Sequence, residues 1–113
     1  MAQREAEHRL AVYGSLAPGE VNAHVLDGIR GAWREGTVCG DLHPEGWGMT
    51  HGFPALRWRP DGPLVPVRLL ESPDLPAHWP RLDAFEGRDY RRIVVPVTTG
   101  QREVPANIYV AAT

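Results

Sequence analysis

Few side chains in this chain can do covalent or proton chemistry, and most of them can be set aside. There are two serines, Ser15 and Ser72. Ser15 stands in Tyr13-Gly14-Ser15-Leu16, which lacks the Gly-x-Ser-x-Gly spacing of a nucleophile elbow, and Ser72 precedes Pro73 in a turn. A serine triad is therefore not expected. Cys39, in the strand-like run Thr37-Val38-Cys39-Gly40, reads as a small buried hydrophobe. The histidines are His8, His24, His43, His51 and His78, none at the i,i+4 spacing of a helical zinc motif, and no second cysteine joins them. They read as surface or loop residues, with His43 and His51 placed to flank a pocket mouth. All twelve basic residues are arginine. The lack of lysine excludes a Schiff base, a lysine general base and a phosphate-loop lysine. No dinucleotide fingerprint is present, so neither metal nor cofactor is expected.

Two segments remain. In Val12-Tyr13-Gly14-Ser15-Leu16 a short apolar strand ends in Gly-Ser. Such a turn can present successive backbone N–H groups to an anion, although an ordinary strand-to-loop turn has the same composition. The second segment is Leu82-Asp83-Ala84-Phe85-Glu86-Gly87-Arg88-Asp89-Tyr90-Arg91-Arg92. Here Glu86 ends an amphipathic helix, directly after Phe85, which is expected to face the core. At the edge of a core a carboxylate loses water, and its pKa rises toward the range in which it both takes and gives a proton. The alternative is a solvated glutamate at a helix C-terminus. The helix dipole is unfavourable to it there, and Arg88 and Arg91 would compensate its charge.

The elements that must position these residues follow from the hydrophobic pattern. A chain of 113 residues with 42% hydrophobic content builds one domain with its own core. We expect a single domain over 1–113, with residues 1–8 a loose lead-in. The 12 glycines and 11 prolines favour short strands and turns over long helices. Strands are predicted at Leu10–Tyr13, within 31–42 with bends at Gly36 and Gly40, at Ala55–Arg59, at Leu64–Leu70 with Val65, Val67 and Leu69 on one face, at Tyr90–Thr98 and at Val104–Ala111. A short helix is predicted over Val21–Leu26, closed by Gly28. The stretch 43–52 reads as loop, and Thr99-Gly100-Gln101-Arg102 as a hairpin connection.

The best helical signal is Leu75, Trp79, Leu82 and Phe85, with Asp74 as N-cap and Pro76 in the first turn. Pro80 implies either a kink or the start of a second helix. Pro66, Pro96 and Pro105 fall within strands, which places them at edges, bulges or strand starts. The sum is an α+β domain, mostly β, with one or two short helices and a small closed or half-open barrel.

A net charge of −2 without a basic stripe argues against nucleic acid. No apolar run approaches the ~20 residues of a membrane span. A lone cysteine and a polar N-terminus are the pattern of a reducing, cytoplasmic setting. Oligomeric state is not encoded in any recognisable way.

Taken as a pair, Tyr13-Gly14-Ser15-Leu16 and Leu82-Asp83-x-x-Glu86-Gly87-x-x-Tyr90-x-Arg92 resemble the γ-glutamylcyclotransferase-like superfamily, which includes γ-glutamylamine cyclotransferases and avirulence-induced-gene-like proteins. Phe53-Pro54-Ala55-Leu56 is similar to that family's mid-chain segment, and Asn107-Ile108-Tyr109-Val110 to its last strand. Pro66-Val67-Arg68 departs from the Gly-Glu-like pair usual before the helix. The resemblance implies a small mixed β-barrel with flanking helices. It also implies a small-molecule γ-glutamyl amide substrate, no cofactor, and release of 5-oxoproline and an amine. Glu86 would be the general acid/base. Tyr13, Gly14, Ser15 and Leu16 would hold the glutamyl group, and Tyr90 and Tyr109 would line the pocket. Intramolecular ring closure needs positioning and one proton shuttle, which suits a chain without triad, lysine or metal cluster. A non-catalytic module binding a small acidic metabolite on the same fold is the alternative. A helper domain acting on a carrier-bound intermediate is a third reading.

Overall fold

A computed structural model describes residues 5–13, 23–43 and 54–112. The strands are β1 (Arg9–Val12), β2 (Ala32–His43), β3 (Ala55–Trp58), β4 (Leu64–Glu71), β5 (Tyr90–Thr99) and β6 (Arg102–Ala111). An α-helix, α1 (Leu75–Glu86), lies between β4 and β5, and a short 3-10 helix spans Ala23–Leu26. The strands run in the order β2-β4-β1-β6-β5, and β5 returns to β2 through Thr37 opposite Thr98. The result is a closed five-strand mixed barrel: β1 and β6 are parallel, and every other pairing is antiparallel. β3 stands outside this ring, paired antiparallel with the end of β2 from Gly40–Trp58 to His43–Ala55.

The barrel is filled by side chains that alternate along each strand. Val65, Val67 and Leu69 of β4 point inward, as predicted, and meet Ala11, Val38, Val95, Val97, Ala106, Ile108 and Val110. β1 is apolar from Leu10 to Val12 because both its faces are covered there. Ala11 faces the barrel interior, while Leu10 and Val12 lie beneath α1 with Leu70, Leu75, Trp79, Leu82 and Tyr109. Leu10, Leu69, Leu75 and Leu82 are fully buried. Each such side chain is worth roughly 2 kcal/mol relative to leaving it in water.

The prolines lie at local edges. Pro66 pairs with Thr37 of β2, but β1 reaches only as far as Arg68 on the other side. Pro96 and Pro105 face each other across β5–β6, clear of the short pairings that β5 makes with β2 and β6 with β1. No neighbour therefore asks for the missing N–H. Gly36 is required where the barrel closes: a Cβ there would sit 2.8 Å from the Thr98 carbonyl oxygen. The bend expected at Gly40 is the point where β2 changes partner from β4 to β3.

The short helix predicted over Val21–Leu26 is present as a 3-10 helix at Ala23–Leu26, followed by Gly28 at a φ of +86°; residues 21 and 22 lie outside the described residues. Two expectations are corrected. Pro80 neither kinks α1 into two nor starts a second helix; the helix is continuous over twelve residues. The lead-in is not loose over residues 5–8. Ala6 is fully buried and its carbonyl accepts from Asn107 Nδ2 at 2.7 Å. The Glu7 carbonyl accepts from Trp79 Nε1, and the His8 carbonyl from the Ser72 N–H. Asp74 is the N-cap residue but makes no side-chain cap; Ser72 Oγ accepts from its N–H instead.

Candidate active site

Glu86 is the last residue of α1. The buried stripe of that helix is Leu75, Trp79 and Leu82, at spacings of four and three. Another step of four reaches Glu86, whereas a step of three reaches Phe85. The structure takes the step of four. Phe85 is 43% exposed, contrary to its expected place in the core, and the carboxylate is half-buried where the stripe runs out. Gly87 then stops the helix at a φ of +76°, where a side chain would be strained, and its N–H donates to the Asp83 carbonyl at 3.1 Å. Burial pushes the Glu86 carboxyl up to about 7. Arg88 and Arg91 are exposed and do not compensate it, and none of the ion pairs among the described residues includes Glu86.

Three tyrosines lie near enough to this carboxylate for its charge to reach each of them. Tyr13 follows β1 and packs against the barrel core; Tyr90 opens β5 and packs against the core beneath α1. Glu86 thus sits where the two cores meet. Tyr13 Oη donates to the Tyr109 carbonyl at 2.6 Å and accepts from the Leu56 N–H at 3.0 Å. Tyr90 Oη donates to the Pro54 carbonyl at 2.7 Å. Tyr109 Oη donates to Asp83 Oδ1 at 2.6 Å. All three phenols are held protonated. Burial is the main cause for each, with the charge of Glu86 adding to it, and Tyr90 reaches about 12.

Asp83, one turn before Glu86, anchors the end of the helix. Burial opposes its ionisation, but Arg92 and the Tyr109 hydroxyl together hold its carboxyl below the usual range. Arg92 Nε reaches Asp83 Oδ1 at 2.9 Å, and Arg92 Nη1 reaches Asn107 Oδ1 at 2.9 Å. The guanidinium also lies 4.3 Å from the centroid of the Trp79 ring. This reach follows from register, because Arg92 faces Tyr109 across β5–β6 and Asn107 lies diagonally beside it.

Of the residues singled out from the sequence, the structure brings Glu86, Tyr13, Tyr90 and Tyr109 together. Gly14, Ser15 and Leu16 lie outside the described residues, as do His51 and most of the 43–52 loop. Cys39 and His43 are half-buried, whereas His8 and His24 are exposed. His78 accepts from Arg81 at the surface. Among the described residues no cluster of His, Cys, Asp and Glu could hold a metal ion, and no helix is long and apolar enough to cross a membrane. Reasoning from sequence gave Asp83, Arg92 and Trp79 no part in the site. The available signal was position: Asp83 stands three residues before Glu86 and so on the same side of the helix.

Comparison with known proteins agrees with this architecture. The family described as "Gamma-glutamyl cyclotransferase, AIG2-like" matches residues 10–113. A mouse AIG2-like protein is 24% identical, with 94% of this chain and 78% of that one covered and a TM-score of 0.73. YkqA from Bacillus subtilis is 24% identical with a TM-score of 0.71, over 92% of this chain but 35% of that one, so the chain spans about a third of that protein. An uncharacterised protein from Pyrococcus horikoshii is 21% identical over 93% of this chain and 78% of that one, with a TM-score of 0.62. At these identities the likeness to solved structures carries the fold. No curated protein matches significantly by sequence. With the family match covering nearly all of the sequence, the chain belongs to the AIG2-like γ-glutamyl cyclotransferase family.

Proposed function

We propose that the protein is a γ-glutamyl cyclotransferase that converts a γ-glutamyl amide into 5-oxoproline and a free amine, with Glu86 as the single proton carrier. The observation that carries this reading is the state of Glu86: half-buried, outside the ion pairs found among the described residues, with a pKa pushed up to about 7 beside Tyr13. A carboxylate of that pKa can accept a proton and return it at neutral pH. Glu86 takes a proton from the substrate α-ammonium. The freed nitrogen attacks the γ-carbonyl carbon, forming the ring C–N bond. As the bond to the leaving nitrogen breaks, the protonated Glu86 supplies that nitrogen with its proton, and the freed carboxylate takes the second proton from the ring nitrogen, which the released amine carries away as its ammonium ion. Ring closure is intramolecular, so alignment of amine and carbonyl does much of the work. In this scheme the backbone of Tyr13–Leu16 would hold the glutamyl group through its carboxylate, and Tyr90 and Tyr109 would line the pocket.

The test is release of 5-oxoproline from a panel of γ-glutamyl amino acids and γ-glutamylamines. Wild-type protein should turn over at least one of them. Glutamate or 5-oxoproline bound in calorimetry, without turnover of any amide, would instead assign a binding module.

A further inference from the structure

Among the described residues β3 is the only strand outside the closed ring, and β2 pairs with one of its edges. Pro54 and Leu56 are two residues apart, so their backbone polar groups point to the same side of that strand. The Leu56 N–H donates to Tyr13 Oη at 3.0 Å, and the Pro54 carbonyl accepts from Tyr90 Oη at 2.7 Å. Two hydroxyls, one from the end of β1 and one from the start of β5, therefore hold the start of β3. Tyr13 Oη is itself fixed by the Tyr109 carbonyl at 2.6 Å. Both phenol groups stand close enough to Glu86 to feel its charge. The same two tyrosines thus stand near Glu86 and hold the start of β3 with their hydroxyls.

We propose that Tyr13 and Tyr90 are positioning residues whose hydroxyls fix Pro54–Leu56 as one wall of the Glu86 site and thereby set how tightly the site holds its γ-glutamyl ligand. This rests on the cyclotransferase reading. It assigns the hydroxyls to the protein backbone rather than to the reacting atoms. Because the hold is on the main chain, it does not depend on which side chains stand at positions 54–56. The rings remain after loss of a hydroxyl, so Glu86 keeps the burial that raises its pKa.

The test uses Tyr13→Phe and Tyr90→Phe in the full chain. Loss of a hydroxyl that satisfies a half-buried backbone group should speed hydrogen exchange at the Leu56 amide about tenfold in Tyr13→Phe. In both variants KM for a γ-glutamyl amide should rise about three- to thirtyfold while kcat stays within about threefold and the acid limb of kcat/KM keeps its midpoint. A fall in kcat at unchanged KM would overturn the proposal, since the hydroxyls would then act in the chemical step. Unchanged exchange at Leu56 would overturn it as well. A wild-type protein inert on every amide would overturn the cyclotransferase reading; the hold on Pro54–Leu56 is then decided by the exchange rates, which need no turnover.

Discussion

Asp83 and Glu86 lie three residues apart at the end of one helix, yet their carboxylates have opposite fates. Asp83 is met by Arg92 and Tyr109, and its pKa falls although burial opposes this. Glu86 lies near three tyrosines and belongs to none of the ion pairs among the described residues, and burial raises its pKa to about 7. Burial acts on both, and the difference lies in pairing. The strand register that brings Arg92, Tyr109 and Asn107 side by side serves Asp83, leaving Glu86 to burial alone. One carboxylate fastens the helix end to the barrel, and the other is left with a proton to exchange. Arg92, being engaged by Asp83, is also kept from neutralising Glu86.

Exchanging the two carboxylates one at a time tests this division. Glu86→Gln should lower turnover by about 10²–10⁴-fold with folding intact, whereas Asp83→Asn should lower it by about tenfold or less. Equal losses in the two variants would break the contrast. For stability the order reverses at neutral pH. Asp83→Ala leaves the Tyr109 hydroxyl and Arg92 without their partner and should destabilise the fold by about 1–2 kcal/mol in denaturant unfolding.

Glu86 costs stability once ionised. Its folded pKa is raised, so its contribution is fully present below the ordinary carboxylate range and is lost as pH climbs through about 7. Glu86→Gln should therefore gain roughly 1–3 kcal/mol on wild type above that pH, and the gain should vanish toward pH 4.5. The smallest effect is that of salt. At roughly 1 M, screening should move the Asp83 titration upward, because part of its shift comes from a charged partner, and should leave that of Glu86 in place.

The features legible in the sequence are those set by local pattern. The alternation of Val65, Val67 and Leu69 gave β4, the apolar run at Leu10–Val12 gave a strand covered on both faces, and Gly87 marked the helix end. The helical period also carried the stripe from Leu75 to Leu82. Its continuation was ambiguous, because steps of three and four are both helical. Choosing three placed Phe85 inside, while the molecule exposes Phe85 and half-buries Glu86. Contacts between distant positions were not legible. Arg92 meets Asp83 across 9 residues, and Asn107 ties down Ala6 across 101, which is why residues 5–8 read as loose. Nor does any local signal put β3 outside the ring, since β2 makes that choice by changing partner at Gly40.

The central claim is that Glu86 holds its proton near neutrality because it is buried without a cation. Titration of its side-chain carboxyl carbon by NMR, in protein labelled at glutamate and assigned by comparison with Glu86→Gln, addresses this directly. A midpoint near 7 that does not move when Arg88 and Arg91 are replaced by glutamine agrees with the account. A midpoint at the ordinary 4.5 would contradict it, because the carboxylate would then be solvated and too weak a base to shuttle a proton at neutral pH.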